Sequence, residues 1–203
     1  MNEPIIQKIV PLTVEEFFAI YGNRDEPYEL IDGIAYMMAA PSTIHQDISV
    51  FLSGELYNFL KGKKCKLYYA PYDVFLNESL KDETGKIKKN RRIKGTIVQP
   101  DLMVICDRDK IKPDGCHGAP DFIIEITSIS TRDRDKSIKY YKYYSSGVKE
   151  YWIIDPDEQL IQVYMFNLDS KKYEFEIFTF DDKVKSRVLE GIEIDFTQFD
   201  FEQ

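Results

Sequence analysis

Apolar residues follow two rhythms along this chain, and the places where a rhythm breaks mark its elements. From His45 to Lys61 the residues Ile48, Phe51, Leu52, Leu56, Phe59 and Leu60 recur at helical spacing, and Gly62 stops the run. A helix is predicted there. Upstream, Thr13-Val-Glu-Glu16 has capping-box form and predicts a short helix through about Ile20, with Phe17 and Phe18 as its apolar surface. Two apolar runs, 28–31 and 34–38, flank Asp32-Gly33, which suits a type I′ turn and predicts a hairpin. Further strands are predicted near 65–69, 72–76, 150–154, 160–166, 173–180 and 192–196. The polar, basic stretch 78–94 reads as a hairpin tip, and 107–119 as turns. Residues 96–106 read as an apolar strand interrupted by Pro100-Asp101, at an edge, a bulge or a strand start.

The stretch 121–139 breaks the pattern in an informative way. Phe122 to Thr127 reads as a buried strand whose one charge is Glu125. An ionised carboxylate left in a core without a partner costs several kcal/mol, so such a group has a metal, a cation or a functional reason to be there. The chain next offers Ser130 or Thr131 as an N-cap and a helix carrying Arg132, Arg134, Lys136, Lys139 and Lys142, ended by Gly147. On that helix Asp135, Lys139 and Tyr143 share a face.

Charge changes the picture once it is divided along the sequence. The net value of −8 comes entirely from residues 155–203, which hold 13 acidic and 5 basic side chains; residues 1–154 hold 22 of each. The acidic total therefore does not exclude a nucleic-acid partner. Basic residues cluster at Lys86, Lys88, Lys89, Arg91, Arg92 and Lys94 and again on the helix after Glu125, and either cluster has the charge to face phosphates. The first cluster, taken alone, reads better as solvated surface. Cys65, Cys106 and Cys116 are odd in number without a C-x-x-C spacing, so neither a disulfide framework nor a zinc ribbon is indicated, and Cys116-His117 reads as a polar loop. No apolar run reaches membrane-spanning length and no signal-peptide core is present, so a cytoplasmic protein is expected. One domain is expected over 1–203.

Two Pro-Asp pairs compete to supply a carboxylate partner for Glu125. Asp121 lies four residues away on the same strand, about 13 Å at strand rise, which is too far to share one ion. Asp101 precedes Glu125 by one strand, and paired strands lie about 4.8 Å apart, so Asp101 is chosen, provided the two strands pair.

Pro100-Asp101, Ile124-Glu125-Ile126-Thr127, Ser130-Thr-Arg-Asp-Arg-Asp135 with Lys139 and Tyr143, and Gly147-Val-Lys-Glu150-Tyr-Trp152-Ile-Ile-Asp155-Pro156 resemble the bacterial Uma family. Those proteins are restriction-endonuclease-like members of the PD-(D/E)XK nuclease superfamily. The likeness extends to Tyr28-Glu29-Leu-Ile-Asp-Gly33, Met38, Pro41 and His45, and so covers about 28–156. It implies an α/β (α+β) fold, with a central mixed β-sheet flanked by α-helices and additional C-terminal strands. It also implies a magnesium or manganese ion at Asp101, Glu125 and the carbonyl of Ile126, and hydrolysis of DNA phosphodiester bonds. The lysine of the E-x-K pattern would fall at Thr127, and Lys139 on the following helix is its match. Glu29, His45 and Tyr143 match family positions and are carried as auxiliary catalytic residues. Without the likeness, His45 is better read as capping or packing and Tyr143 as packing.

The implied partners are DNA and a second copy of the chain, with no membrane and no organic cofactor. A nuclease-fold module that binds DNA or protein without cleaving, and an interaction protein using strands 160–201 as its contact surface, remain as alternatives.

Overall fold

The computed structural model describes residues 10–76, 95–129, 131–170 and 172–201. In chain order its elements are α1 (Val14–Tyr21), β1 (Tyr28–Ile31), β2 (Ile34–Met37), α2 (Thr43–Leu60), β3 (Lys66–Tyr69), β4 (Val74–Phe75), β5 (Ile97–Val98) and β6 (Leu102–Ile105). Then follow β7 (Ile111–Lys112), β8 (Gly115–His117), β9 (Phe122–Ile126), a π-helical segment Arg134–Lys139 that runs into α3 (Tyr140–Ser146), and β10 (Glu150–Asp155). The chain closes with β11 (Leu160–Asn167), β12 (Lys172–Thr179), β13 (Lys183–Lys185) and β14 (Glu193–Asp195). The basic stretch 78–94 lies outside the described residues, as does Ser130.

The central sheet has the order β12-β11-β10-β9-β6-β3. Only β9 and β10 run parallel in it, joined by the helical crossover, so the sheet is mixed. Alternation along its buried strands divides the core in two. On one face Leu102, Val104, Phe122, Ile124, Trp152 and Ile154 pack against Ile48, Leu52, Leu56 and Leu60 of α2. Each of those four helix residues is worth about 2 kcal/mol once buried, so docking rather than propensity holds α2. On the other face Met103, Ile105, Ile123, Tyr151 and Ile153 meet Tyr143, Val148 and residues of a second sheet, β2-β1-β5-β4-β8-β7. The helix-flanked mixed sheet with extra C-terminal strands matches the sequence reading; the second sheet was not foreseen as a separate layer.

Local signals explain most boundaries. Thr13 and Glu16 form the reciprocal capping box, Asp32 and Gly33 both take positive φ in the β1–β2 turn, and Gly147 ends α3 at φ 89°.

Three expectations are corrected. Cys65 and Cys106 form a disulfide, because they extend the β3–β6 ladder by one pair beyond Lys66↔Ile105, a proximity that 41 residues of separation conceal in the sequence. Residues 107–119 contain the β7–β8 hairpin, and Cys116, buried on β8, pairs with Val74 rather than sitting in a loop. The strand read over 96–106 is two strands in different sheets. Pro100, which has no N–H to donate, lies between β5 and β6 where the chain crosses from one sheet to the other.

Candidate active site

The β9 strand ends where several other segments converge. Antiparallel pairing of β6 with β9 sets Leu102 against Ile124, and continuing that register by one residue brings Asp101 opposite Glu125. Asp101 Oδ2 accepts the Ile126 N–H at 2.7 Å, and Oδ1 lies 3.2 Å from His45 Nε2 at the start of α2. Ser42 caps that helix by accepting the His45 N–H, which sets where α2 begins, and the ring is held by Asp101.

Glu125 is reached from the crossover helix. Lys139 Nζ lies 2.9 Å from Glu125 Oε1, 2.8 Å from Glu29 Oε1 and 3.8 Å from Asp135 Oδ1. Tyr143 donates its hydroxyl to the same Glu125 oxygen at 2.5 Å. Glu29 on β1 also accepts the Gln99 N–H at 2.9 Å. Asp135, Lys139 and Tyr143 are all buried on one side of the helix, where its first part is wound as a π-helix, a form concentrated at functional sites. Thr127 is buried and bonded to Ile154 O through its N–H, so the ammonium beside Glu125 comes from the helix and not from the strand.

Four carboxyl groups, Glu29, Asp101, Glu125 and Asp135, thus crowd one buried ammonium. Burial drives the Glu125 pKa well above its ordinary value; Lys139 opposes that, while Asp101, Asp135 and Glu29 add to it. Asp135 is raised by burial as well. Burial alone would lower Lys139, but the charges of Glu125, Glu29 and Asp135 hold it well above its ordinary value, so it stays an ammonium. For His45 burial works against the imidazolium, and the hydrogen bond and charge of Asp101 outweigh it, raising its pKa. Burial, then the Glu125 charge, keeps Tyr143 protonated.

This excess of negative charge is the chemistry a divalent cation relieves. No three His, Cys, Asp or Glu side chains among the described residues form a metal cage. Magnesium does not need one, since it takes one or two carboxylates and keeps water. Lys139 and Tyr143 both bond to Glu125 through Oε1, and Asp101 lies opposite Glu125, so two carboxylates of the kind magnesium takes stand together and the donor set fits.

All six residues singled out in the sequence, Glu29, His45, Asp101, Glu125, Lys139 and Tyr143, meet here, with Ile126 present through its backbone. Asp121 does not: its carboxylate takes the Cys106 N–H at 2.7 Å and Lys149 at 2.6 Å at the other end of β9. Apart from Arg134, the basic helix residues are bonded to carboxylates rather than standing free for phosphate. Arg132 and Lys136 grip Asp155 at 2.8 and 3.0 Å, and Lys142 reaches Asp32 at 2.6 Å. Asp155, buried at the end of β10, was missed as a member of the site's scaffold. The i, i+4 pair Arg132 and Lys136 ahead of a strand ending in Asp-Pro was the signal for it. Gln99, whose Nε2 also donates to Asp73 at 2.7 Å, gave no signal.

Comparison with known proteins agrees with this architecture. An uncharacterised protein of Synechocystis sp., slr1290, is 26% identical over 159 residues, covering 78% of this chain and 76% of that one. A crystal structure from Anabaena variabilis, described as "a putative nuclease belonging to DUF820", superposes with a TM-score of 0.70 at 20% identity, covering 93% of this chain and 99% of that one. At that identity the likeness shows the fold. Residues 14–197 match the family model Uma2, described as "Putative restriction endonuclease", and the chain therefore belongs to that restriction-endonuclease-like family.

Proposed function

We propose that this protein is a metal-dependent endonuclease that hydrolyses phosphodiester bonds of DNA. The observation that carries the reading is the buried Glu29–Lys139–Glu125 bridge lying beside Asp101, on a chain of a restriction-endonuclease-like family. Asp101, Glu125 and the Ile126 carbonyl would hold magnesium or manganese, which when bound neutralises phosphate charge and activates a water.

The chain's own groups set up the rest. Lys139, kept charged by its carboxylates, is placed to stabilise a phosphoryl oxygen as negative charge grows on it or to orient the attacking water. Tyr143 fixes the Glu125 carboxyl by its hydrogen bond to Oε1. His45, held by Asp101 at the N-terminus of α2, is a proton donor or phosphate contact beside that carboxylate. Glu29 anchors the second side of the Lys139 ammonium. A homodimer would place one such site on each strand of a duplex. The open edge β12, with Phe175 and Ile177 61% and 54% exposed, is the surface offered for it.

The test is cleavage of supercoiled plasmid with Mg2+ or Mn2+. Nicking by the wild type that is lost in both Asp101→Ala and Glu125→Ala supports the enzyme. DNA binding with no cleavage under any divalent ion overturns it in favour of a binding module, for which Lys139 already seated on Glu125 is the favouring observation.

A further inference from the structure

Arg134 is the basic residue of the crossover helix that the structure leaves without a hydrogen-bonded carboxylate. Its side chain is 16% exposed, yet no hydrogen bond to its guanidinium is found among the described residues. The nearest carboxylate oxygen, Glu29 Oε2, is 3.9 Å away, beyond hydrogen-bond length. Glu29 is served elsewhere, since its Oε1 takes both Lys139 at 2.8 Å and the Gln99 N–H at 2.9 Å.

Arg134 is held by an aromatic ring and a carboxylate at ion-pair distance. Glu29 and Tyr36 are directly opposite in the β1–β2 ladder and so share a face, and the guanidinium carbon lies 5.3 Å from the Tyr36 ring centroid. Ring and carboxylate attract the guanidinium from two directions, and neither takes a hydrogen bond from it. A guanidinium carries five donors in fixed geometry that matches two oxygens of one phosphate. The guanidinium keeps some contact with solvent and spends none of these donors on a hydrogen bond among the described residues, so an incoming anion can take them without displacing a hydrogen-bonded partner.

We propose that Arg134, set in place by Tyr36 and Glu29, is a phosphate-binding residue that takes a phosphodiester of the DNA strand next to the Glu125–Lys139 centre. The proposal rests on the nuclease reading for the identity of the strand, though not on metal or on cleavage. Binding at this fork adds a phosphate contact that Arg132 and Lys136, held on Asp155, do not provide.

The experiment measures anisotropy of a labelled DNA duplex in the presence of a chelator, for the wild type, Arg134→Gln and Arg134→Lys, with thermal melts on the same samples. Arg134→Gln is expected to weaken binding about tenfold and to reduce the slope of log K against log salt by about 0.9, the loss of one phosphate contact. Arg134→Lys should regain the slope with only part of the affinity, because it restores charge without the fork. A duplex series carrying one neutral methylphosphonate at each position should contain a position that weakens the wild type and leaves Arg134→Gln unchanged. Equal affinity and slope in the wild type and Arg134→Gln overturn the proposal. So does a series in which every substitution weakens both proteins alike. If Arg134→Gln fails to melt cooperatively, the wild type and Arg134→Lys carry the series, and indifference of the wild type to every position is then the overturning result. Plasmid cleavage separates the two claims. A wild type that binds through Arg134 but never cleaves sinks the nuclease and keeps the contact; one that cleaves, with an Arg134→Gln variant of unchanged KM, does the reverse. Absence of DNA binding by the wild type overturns both.

Discussion

Glu125 on β9 and Glu150 on β10 are both buried, at 3% and 0% exposure, on adjacent parallel strands, but they face opposite sides of the central sheet and are satisfied by different chemistry. Glu150 is surrounded by neutral donors. Its oxygens accept Trp152 Nε1 at 2.7 Å, Ser186 Oγ at 2.8 Å, and the N–H groups of Arg187 and Val188 at 3.0 and 2.9 Å. Burial raises its pKa and those hydrogen bonds oppose the rise. Glu125 instead shares one ammonium with Glu29 and Asp135 and faces Asp101 besides, an arrangement with more negative charge than its own protein neutralises. The Glu150 arrangement is closed, and it pins residues 186–188 to the sheet. The Glu125 arrangement keeps carboxylates around a single ammonium, the crowding of like charge that shifts pKa values at functional sites rather than at structural anchors.

Breaking the Glu125 side should have the largest effect, and on activity. Glu125→Gln and Asp101→Asn are expected to lower the rate of DNA nicking by at least about a thousandfold, of the order set by losing a principal transition-state stabiliser, while both proteins still melt cooperatively. Lys139→Met should follow, losing activity and also about 3 kcal/mol of stability, because the carboxylates are left without their cation; urea denaturation reads this.

The Glu150 side should respond the other way round. In Glu150→Gln the amide can keep its carbonyl toward Ser186, Arg187 and Val188 only by turning its NH2 toward the Trp152 N–H, so two donors confront each other. A loss of about 2 kcal/mol in urea denaturation is expected, with kcat per folded molecule unchanged. A nicking defect in that variant as deep as that of Glu125→Gln would erase the distinction between the two sites.

A smaller effect sharpens the contrast through pH. Because the folded-state pKa of Glu125 lies above its ordinary value of 4.5, the native state holds the proton more tightly than the unfolded chain, and Glu125 ionisation costs stability as pH rises from about that value through the raised pKa. Glu125→Gln removes the titration, so its stability relative to the wild type should increase across that window in metal-free buffer. Asp121 has the opposite sign. Burial would raise its pKa, but the bonds from Lys149 and the Cys106 N–H outweigh it, so its contribution is present above its ordinary 3.8 and is lost as pH falls through the depressed value. Asp121→Asn should therefore approach the wild type in stability only at acid pH.

Much of this was legible in the residues. Period and capping signals located α1, α2 and the hairpin, and the lone charge in an apolar strand marked Glu125. Simple distance arithmetic favoured Asp101 over Asp121, whose carboxylate is spent on Cys106 and Lys149. Contacts that depend on long-range register were not legible. The Cys65–Cys106 bond, the passage of the chain between sheets at Pro100, and the hold of Asp155 on Arg132 and Lys136 join segments with no local marker. The π-helical winding that carries Lys139 inward is likewise invisible to a period count, since Asp135, Lys139 and Tyr143 would share a face on an ordinary α-helix too.

If the Glu125 cluster, and not the Glu150 cluster, is the one that calls for a further cation, only the first should bind metal. Isothermal titration of the metal-free protein with Mn2+ tests it most directly, on the wild type, Glu125→Gln and Glu150→Gln together. One Mn2+ per chain in the wild type and in Glu150→Gln, with none in Glu125→Gln, is the predicted result; binding that is absent from the wild type, or undiminished in Glu125→Gln, contradicts the account.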